Sequence, residues 1–345
     1  MLNPYDSRRE AAMALVGDIG GTNARFALTD LAAHRPRIIS PRAFLCGEFS
    51  SAEAAIERYL AEVGRPRPRT AGIAVAGPVS GGHAAFTNGA WRLSADSLRS
   101  HGFSGARLIN DYAALALAAP GLAGEDRHPV GPEQPFTPGE TVAVIGAGTG
   151  FGVSGLAWDG ARPVAVASEG GHAGFAPCDE VEAGVLEILG RRFGRVSIER
   201  VLSGPGLRNL YGALTELAGA PCEPPSPATI TALALAGEDH WAVETLQRFC
   251  AIFGSVAGDI ALTLGARGGV YLAGGIAPRI LEPLQKSQFR KRFEAKGRFE
   301  AYLRQIPTFV ILHPYAALLG AAEQLRRDQR GAGALSSLSQ IGARP

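Results

Sequence analysis

The stretch Leu15-Val16-Gly17-Asp18-Ile19-Gly20-Gly21-Thr22-Asn23 joins an apolar run to a glycine-rich reversal, and a second apolar run follows at residues 24–28. The same design recurs at residues 142–150, with another apolar run at 151–153. We expect glycines in such turns to adopt positive φ and to let a bulky ligand approach the main chain. Consecutive N–H groups then form a concavity that binds anions. Two such turns on one chain predict that both bind the phosphates of one polyphosphate ligand.

The composition describes a globular chain with a large core. Hydrophobic residues make up 46% of the 345 residues and charged residues 19%, which suits about two domains. The net charge of +2 gives no indication of nucleic-acid binding. The four cysteines are scattered and form no C-x-x-C pair, which favours a reduced, cytoplasmic compartment. No signal peptide or membrane-spanning run is recognisable, so we expect no membrane partner.

Strand and helix patterns alternate along the chain, which predicts an α/β architecture. Residues 13–30 are predicted to form a β-hairpin around the first glycine turn. A segment rich in proline, glycine and charge, residues 121–140, is the predicted domain boundary. The hairpin pattern restarts at residues 141–155, as it would in a duplicated fold.

Other nucleotide-binding motifs fit less well. No G-x-x-x-x-G-K-[ST] sequence occurs, which excludes a P-loop enzyme. The glycine run from Gly146 to Gly152 departs from G-x-G-x-x-G, because Phe151 stands where the third glycine belongs. Glu169 lies about 20 residues downstream, where a ribose-binding acid is found in that fold. The segment after the turn is predicted to be a strand, however, and not the helix that the Rossmann fold requires.

Asp18 and Asp111 are candidates for a metal-binding carboxylate and a catalytic base. Asp111 directly follows an apolar strand, and α/β sheets keep their sites at the carboxyl ends of strands. The alternative is that Asn110 and Asp111 merely cap the helix that follows, since both residue types are preferred caps. The spacing does not separate these two interpretations.

A further polar cluster contains Glu169, His172 and Glu199. Carboxylates, a histidine and an asparagine together suit a polyol, because each carboxylate can accept two adjacent hydroxyls. Taken singly, Glu199 is an ordinary helix residue or ion-pair partner, and His172 a buried core histidine. Gly274 and Gly275 follow a predicted strand and form either a plain turn or a backbone surface for a flat ligand such as adenine.

With these residues laid out, the chain resembles the bacterial glucokinases of the sugar-kinase/actin-like ATPase superfamily, from about residue 14 to 325. The resemblance is carried by six segments in order: residues 15–25, 109–112, 146–150, 169–172, 197–206 and 273–278.

The resemblance implies ATP-dependent phosphorylation of glucose at its 6-hydroxyl, with Asp111 as the general base. It implies glucose binding by Asn110, Asp111, Glu169, His172 and Glu199. It also implies Mg²⁺ near Asp18, directly or through water. The implied ATP-binding residues are Gly17, Asp18, Ile19, Gly20, Gly21, Thr22, Asn23, Gly146, Ala147, Gly148, Thr149, Gly150, Gly274 and Gly275.

The resemblance further implies two RNase H-like domains that flank a central cleft, and a homodimer. The small domain would comprise residues 13–121 and 313–330, and the large domain residues 122–312. Residues 1–12 and 331–345 lie outside the resemblance and are predicted to be flexible tails. No zinc is expected, since only Cys178 lies near the Glu169–His172 cluster. A hexokinase that takes mannose, fructose or an amino sugar, and a non-catalytic sugar sensor, are the alternatives.

Overall fold

A computed structural model describes residues 12–64, 67–85, 91–132, 137–160 and 162–341, with backbone alone at 85 and 331–341. The fold is mixed α/β, as the alternating pattern predicted. The chain divides into two compact units. The first unit comprises Met1–Gly121 and Pro314–Pro345, and the second comprises Leu122–His313.

The first unit is built mainly on strands. They are β1 (Met13–Ile19), β2 (Asn23–Asp30), β3 (Ile39–Leu45), β4 (Thr70–Val75), β5 (Val79–Ser80), β6 (His83–Ala85), β7 (Arg92–Ser94) and β8 (Gly105–Asn110). The helices between them are α1 (Ala52–Val63), α2 (Ala95–Ser100) and α3 (Asp111–Ala118).

The second unit is richer in helices. Its strands are β9 (Arg127–Pro129), β10 (Val142–Ala147), β11 (Phe151–Asp159), β12 (Arg162–Ser168), β13 (Gly269–Ala273) and β14 (Thr308–Ile311). Its helices are α4 (Glu180–Phe193), α5 (Gly204–Leu217), α6 (Pro227–Ala236), α7 (His240–Leu264), α8 (Leu281–Lys286), α9 (Phe289–Glu294) and α10 (Glu300–Arg304). The chain then returns to the first unit with α11 (Ala316–Ile341).

The main sheets of the two units share one topology. In the first unit the strand order is β3-β2-β1-β4-β8, and in the second it is β12-β11-β10-β13-β14, with β9 added at the edge. In each sheet an antiparallel three-stranded meander is followed by two strands parallel to its first strand. The two predicted hairpins and the restart of the pattern are therefore confirmed.

Local chemistry explains where helices begin and end. The Ser51 side chain accepts a hydrogen bond from Ala54 N at the start of α1, and Gly64 ends the helix at φ 60° in the left-handed region. The bounds of α1 match the amphipathic helix that the spacing of apolar residues predicts over residues 52–63. The sequence did not predict α5, which starts within Ser203-Gly204-Pro205-Gly206. Ser203 caps this helix and Pro205 occupies its first turn, so the glycines do not prevent it.

Helix α11 packs on the first sheet and on α3. A Cβ on Gly72 of β4 would lie 2.9 Å from Leu325 Cγ, so the strand and the helix are in close contact. The sequence predicted a flexible tail at residues 331–345, and the backbone of this segment is helical to Ile341. The remaining predicted tail residues, 1–11 and 342–345, lie outside the described residues. Among the described helices, none combines the length and apolar character needed to cross a membrane.

Candidate active site

The parallel strands β1, β4 and β8 of the first unit have their carboxyl ends side by side at one edge of the sheet. In the register, Ile19 of β1 is opposite Val75 of β4, which is in turn opposite Asn110 of β8. Asp18 and Asp111 each lie one residue from this row. The edge therefore carries both candidate carboxylates, separated by the width of β4.

Asn110 and Asp111 have different local roles. The Asn110 side chain accepts a hydrogen bond from Ala113 N at 3.0 Å and is the cap of α3. Its Nδ2 donates to Gly77 O at 3.2 Å and to Asp111 Oδ1 at 3.1 Å, and the same Oδ1 accepts from Tyr112 N at 2.9 Å. The cap interpretation is thus confirmed for Asn110, and Asp111 is not needed for it.

Asp18 is held by an arginine that the sequence reasoning did not single out. Asp18 of β1 is opposite Arg25 of β2, and Arg25 Nη1 lies 3.2 Å from Asp18 Oδ2. Burial raises the pKa of the Asp18 carboxyl, and Arg25 opposes that shift by stabilising the charged form. The predicted hairpin around residues 20–23 already places residue 18 opposite residue 25, so the sequence could have identified this pair.

The first glycine turn is closed by backbone hydrogen bonds. Gly20 N donates to Asn23 O at 2.9 Å, and Cys46 N, just after β3, donates to Thr22 O at 2.9 Å. The expectation of positive φ is wrong for three glycines of the two turns. Gly20, Gly148 and Gly150 all lie outside that region.

At Gly17 and Gly150 the reason for glycine is space. A Cβ on Gly17 would lie 2.7 Å from Ile73 Cδ1, and a Cβ on Gly150 would meet the carboxylate of Glu199. Gly274 differs, since its φ is 82° and a Cβ there would also meet the backbone of Ala147.

The second glycine turn is bonded to two other segments. Gly148 N donates to Gly150 O at 2.8 Å within the turn. Gly204 N, at the start of α5, donates to Gly148 O at 2.8 Å, and Ile276 N donates to Ala147 O at 3.2 Å. Main-chain groups from the β10–β11 turn, the α5 N-terminus and the turn after β13 therefore meet at one place, where a helix N-terminus favours negative charge.

The polar cluster of Glu169, His172 and Glu199 lies beside this turn. Glu169 and His172 flank a short 3₁₀ turn and are exposed, so His172 is not a buried core histidine. Glu199 is half-buried, and its Oε2 accepts a hydrogen bond from Phe151 N at 2.8 Å. The neighbouring backbones are also joined, since Ile198 N donates to Ala173 O at 2.9 Å.

The second unit thus brings together the second glycine turn, the Gly274-Gly275 turn and the three side chains of the polar cluster. The first unit brings Asp18, the first glycine turn, Asn110 and Asp111 to one sheet edge. The second unit thus contributes main-chain turns, two glutamates and a histidine, and the first unit contributes two further carboxylates, Asp18 on β1 and Asp111 at the start of α3.

Comparison with known proteins gives a consistent result. The sequence profile of the glucokinase family matches residues 15–328. A glucokinase from Caulobacter sp. strain K31 is 50% identical over 321 residues, covering 93% of this chain and 97% of its own length. A glucokinase from Nitrobacter hamburgensis is 44% identical over 313 residues, covering 90% and 96%.

Solved structures agree. The crystal structure of a glucokinase from an Antarctic psychrotroph superposes with a TM-score of 0.84 at 37% identity, over 92% of this chain and 99% of that chain. A glucokinase of the ROK family from Streptomyces griseus, solved with glucose and AMPPNP, shares the fold with a TM-score of 0.61 at 21% identity, over 90% and 98%. The resemblance seen in the sequence is confirmed, and the chain belongs to the glucokinase family.

Proposed function

We propose that this protein transfers the γ-phosphoryl group of ATP to the 6-hydroxyl of glucose. The family supports the reaction, and the observation that carries it is the hydrogen bond from Phe151 N to Glu199 Oε2. That bond holds a hydroxyl-accepting carboxylate directly beside the second glycine turn. A sugar and a polyphosphate can therefore be bound by adjoining residues of one unit.

Asp111 is the proposed general base. Phosphoryl transfer requires little covalent chemistry from the protein beyond positioning and a group that accepts the hydroxyl proton. Asn110 supplies the helix cap and donates to Asp111 Oδ1, which orients the carboxylate. Asn110, Glu169, His172 and Glu199 would bind the other hydroxyls of the sugar.

ATP would be held by the two glycine turns, and Gly274 and Gly275 would lie near the adenosine. At the start of α5 the N–H groups of Gly204 and Gly206 are already bonded to Gly148 O and Ser203 Oγ, so the phosphates would be bound by the remaining main-chain N–H groups of the two turns.

Mg²⁺ fits Asp18. Among the described residues, no group of three His, Cys, Asp or Glu side chains could hold a metal ion by itself. Mg²⁺ is usually bound in kinases by one or two carboxylates together with substrate phosphates, and Asp18 would supply one such carboxylate. When bound, the ion would neutralise charge that develops on the phosphates. The proposal also includes the two RNase H-like domains flanking a central cleft, the homodimer and the cytoplasmic location that the sequence predicts.

The experiment is ADP release from ATP and Mg²⁺ with glucose, mannose, fructose, galactose or no sugar. We expect release that strongly favours glucose. Release that favours mannose or fructose would identify a hexokinase of different specificity. Glucose binding without release from any sugar, in folded protein, would identify a sensor and refute the kinase proposal.

A further inference from the structure

A largely buried ion pair joins α4 to α9 in the second unit. Glu182 of α4 has only 1% of its side chain exposed, and its Oε1 lies 2.6 Å from Arg292 Nη2 on α9. Its second oxygen, Oε2, accepts a hydrogen bond from the main-chain N–H of Cys178 at 2.8 Å. A buried carboxylate is costly unless it is paired and hydrogen-bonded, and Glu182 uses one oxygen for each purpose.

Cys178 ends the segment that starts at His172. The half of this segment next to His172 is joined to the residues just before Glu199 by an antiparallel β-bridge between Gly174 and Ser197. The far half has different supports, namely the bond from Cys178 N to Glu182 and a 3.2 Å contact between Cys178 Sγ and Ser255 Oγ. Residues 172–178 are thus fixed at both ends.

The neighbouring charges hold Glu182 in place. Asp179 caps α4 by accepting from Glu182 N at 2.9 Å, and its other oxygen lies 2.5 Å from Arg248 Nη1. Arg292 Nη1 lies 3.6 Å from the same Asp179 oxygen. The Glu182 carboxylate therefore cannot move without breaking its contact with Arg292 and moving away from Arg248 Nη1, 4.0 Å from its Oε1.

We propose that Glu182 is a positioning residue for glucose binding, which it supports by fixing the segment that carries His172. The inference rests on the proposed function, since it assigns glucose to the His172 cluster. Glu182 bonds the far end of the segment that carries His172, so its effect is expected on the affinity for glucose and not on the affinity for ATP.

Two double variants separate the hydrogen bond from the ion pair. In Glu182→Gln/Arg292→Met, the amide oxygen can still accept from Cys178 N, and no unpaired buried cation remains. In Glu182→Leu/Arg292→Met, packing volume is kept but the acceptor is lost. Glu187→Leu, on an exposed part of the same helix, is the matched control.

The readouts are the glucose Kd by calorimetry and the KM for glucose and for ATP. We expect the Gln/Met variant to stay within about twofold of the unsubstituted protein, and the Leu/Met variant to lose glucose affinity by up to about tenfold, the upper end of what one hydrogen bond contributes. The KM for ATP should not change in either. Equal glucose affinity in the two variants, or parallel losses for glucose and ATP, would overturn the proposal.

Hydrogen exchange tests the same inference without any substitution, and so does not depend on the variants folding. The amide of Cys178 should be protected before glucose is added. Protection that arises only with glucose would show that Glu182 does not fix the segment in advance. Failure of the proposed function is distinguishable, because the unsubstituted protein would then release no ADP with glucose.

Discussion

Asn110 and Asp111 show how neighbouring residues in one motif divide their tasks. The amide oxygen of Asn110 caps α3, while Asp111 contributes a carboxylate at the first helical position. The sequence left cap and base as open alternatives for the pair. Only the hydrogen bonds assign the cap to Asn110, because both residue types serve equally well in that position.

Asp111→Asn tests the role of the base. We expect kcat to fall by about 10²- to 10⁴-fold, the usual contribution of general acid–base catalysis, with glucose and ATP affinities nearly unchanged. Steady-state kinetics and calorimetry provide the measurements. Asp96→Asn, in the first turn of α2, is the matched control. Full turnover in Asp111→Asn would remove Asp111 from the role.

Cys250 gives a prediction about thiol chemistry. Burial raises the pKa of its thiol to about 12, whereas Cys178 and Cys222 are exposed. Because the thiolate is the reactive form, a thiol reagent at pH 8 should label Cys178 and Cys222 in the native protein, and Cys250 only after unfolding. Peptide mass spectrometry measures the labelling. Equal labelling rates at all three would contradict the expected burial.

The same raised pKa has a consequence for stability. The folded state keeps the Cys250 proton at a pH where the unfolded chain has lost it, so this stabilising contribution is complete below about pH 9. It is lost as the pH rises toward about 12. Urea unfolding across this range should therefore show a falling free energy of unfolding.

At the scale of elements, the second glycine turn needs glycine at residue 150 because the Glu199 carboxylate packs against it, and not because the backbone has positive φ. Gly150→Ala should displace the Glu199 carboxylate and raise the KM for glucose, by up to about a hundredfold for a shift near 1 Å. Gly148→Ala is the contrast, because its nearest neighbour, Gly275 N, is 3.9 Å from the added Cβ. Its effect should appear in the KM for ATP. An equal glucose effect from both would refute this account of Gly150.

Helix packing in the first unit depends on Gly320. A Cβ there would lie 2.9 Å from Ala114 Cα and would also meet the carbonyl of Ala114, so Gly320→Ala should force α11 away from α3. We expect a loss of about 1–3 kcal/mol in the free energy of unfolding. A Cβ on Gly190 of α4 would meet no neighbouring atom, so Gly190→Ala should raise the free energy of unfolding by about 0.5–1 kcal/mol. Urea denaturation measures the free energy of unfolding of both variants. An unchanged value for Gly320→Ala would show that α3 and α11 can move apart without cost.

Much of the fold was predictable at this scale, because hairpins and amphipathic helices leave local patterns. The hairpin at residues 13–30 and helix α1 are where the sequence predicted them. Contacts between distant segments were not predictable. Glu199 reaches Phe151 N across 48 residues, and no local pattern records that register. Helix α5 was missed because glycine and proline disfavour a helix interior, although they are tolerated at its start.

For the molecule as a whole, the division into two units bears on how ligands affect stability. Glutamates and a histidine suited to glucose lie in the second unit, so glucose should raise the unfolding temperature of that unit in calorimetry. At 100 times the Kd the expected stabilisation is about 2.7 kcal/mol. Galactose at the same concentration is the control. An identical shift with galactose would indicate that the hydroxyl pattern is not recognised.

The return of α11 to the first unit has a consequence for biosynthesis. The apolar face of β1 and β4 that α11 covers is synthesised before the second unit, whereas α11 is synthesised after it. The nascent chain must keep that face uncovered while the second unit, which is continuous in sequence, is already complete. The first unit therefore finishes folding after the second, the reverse of the usual vectorial order.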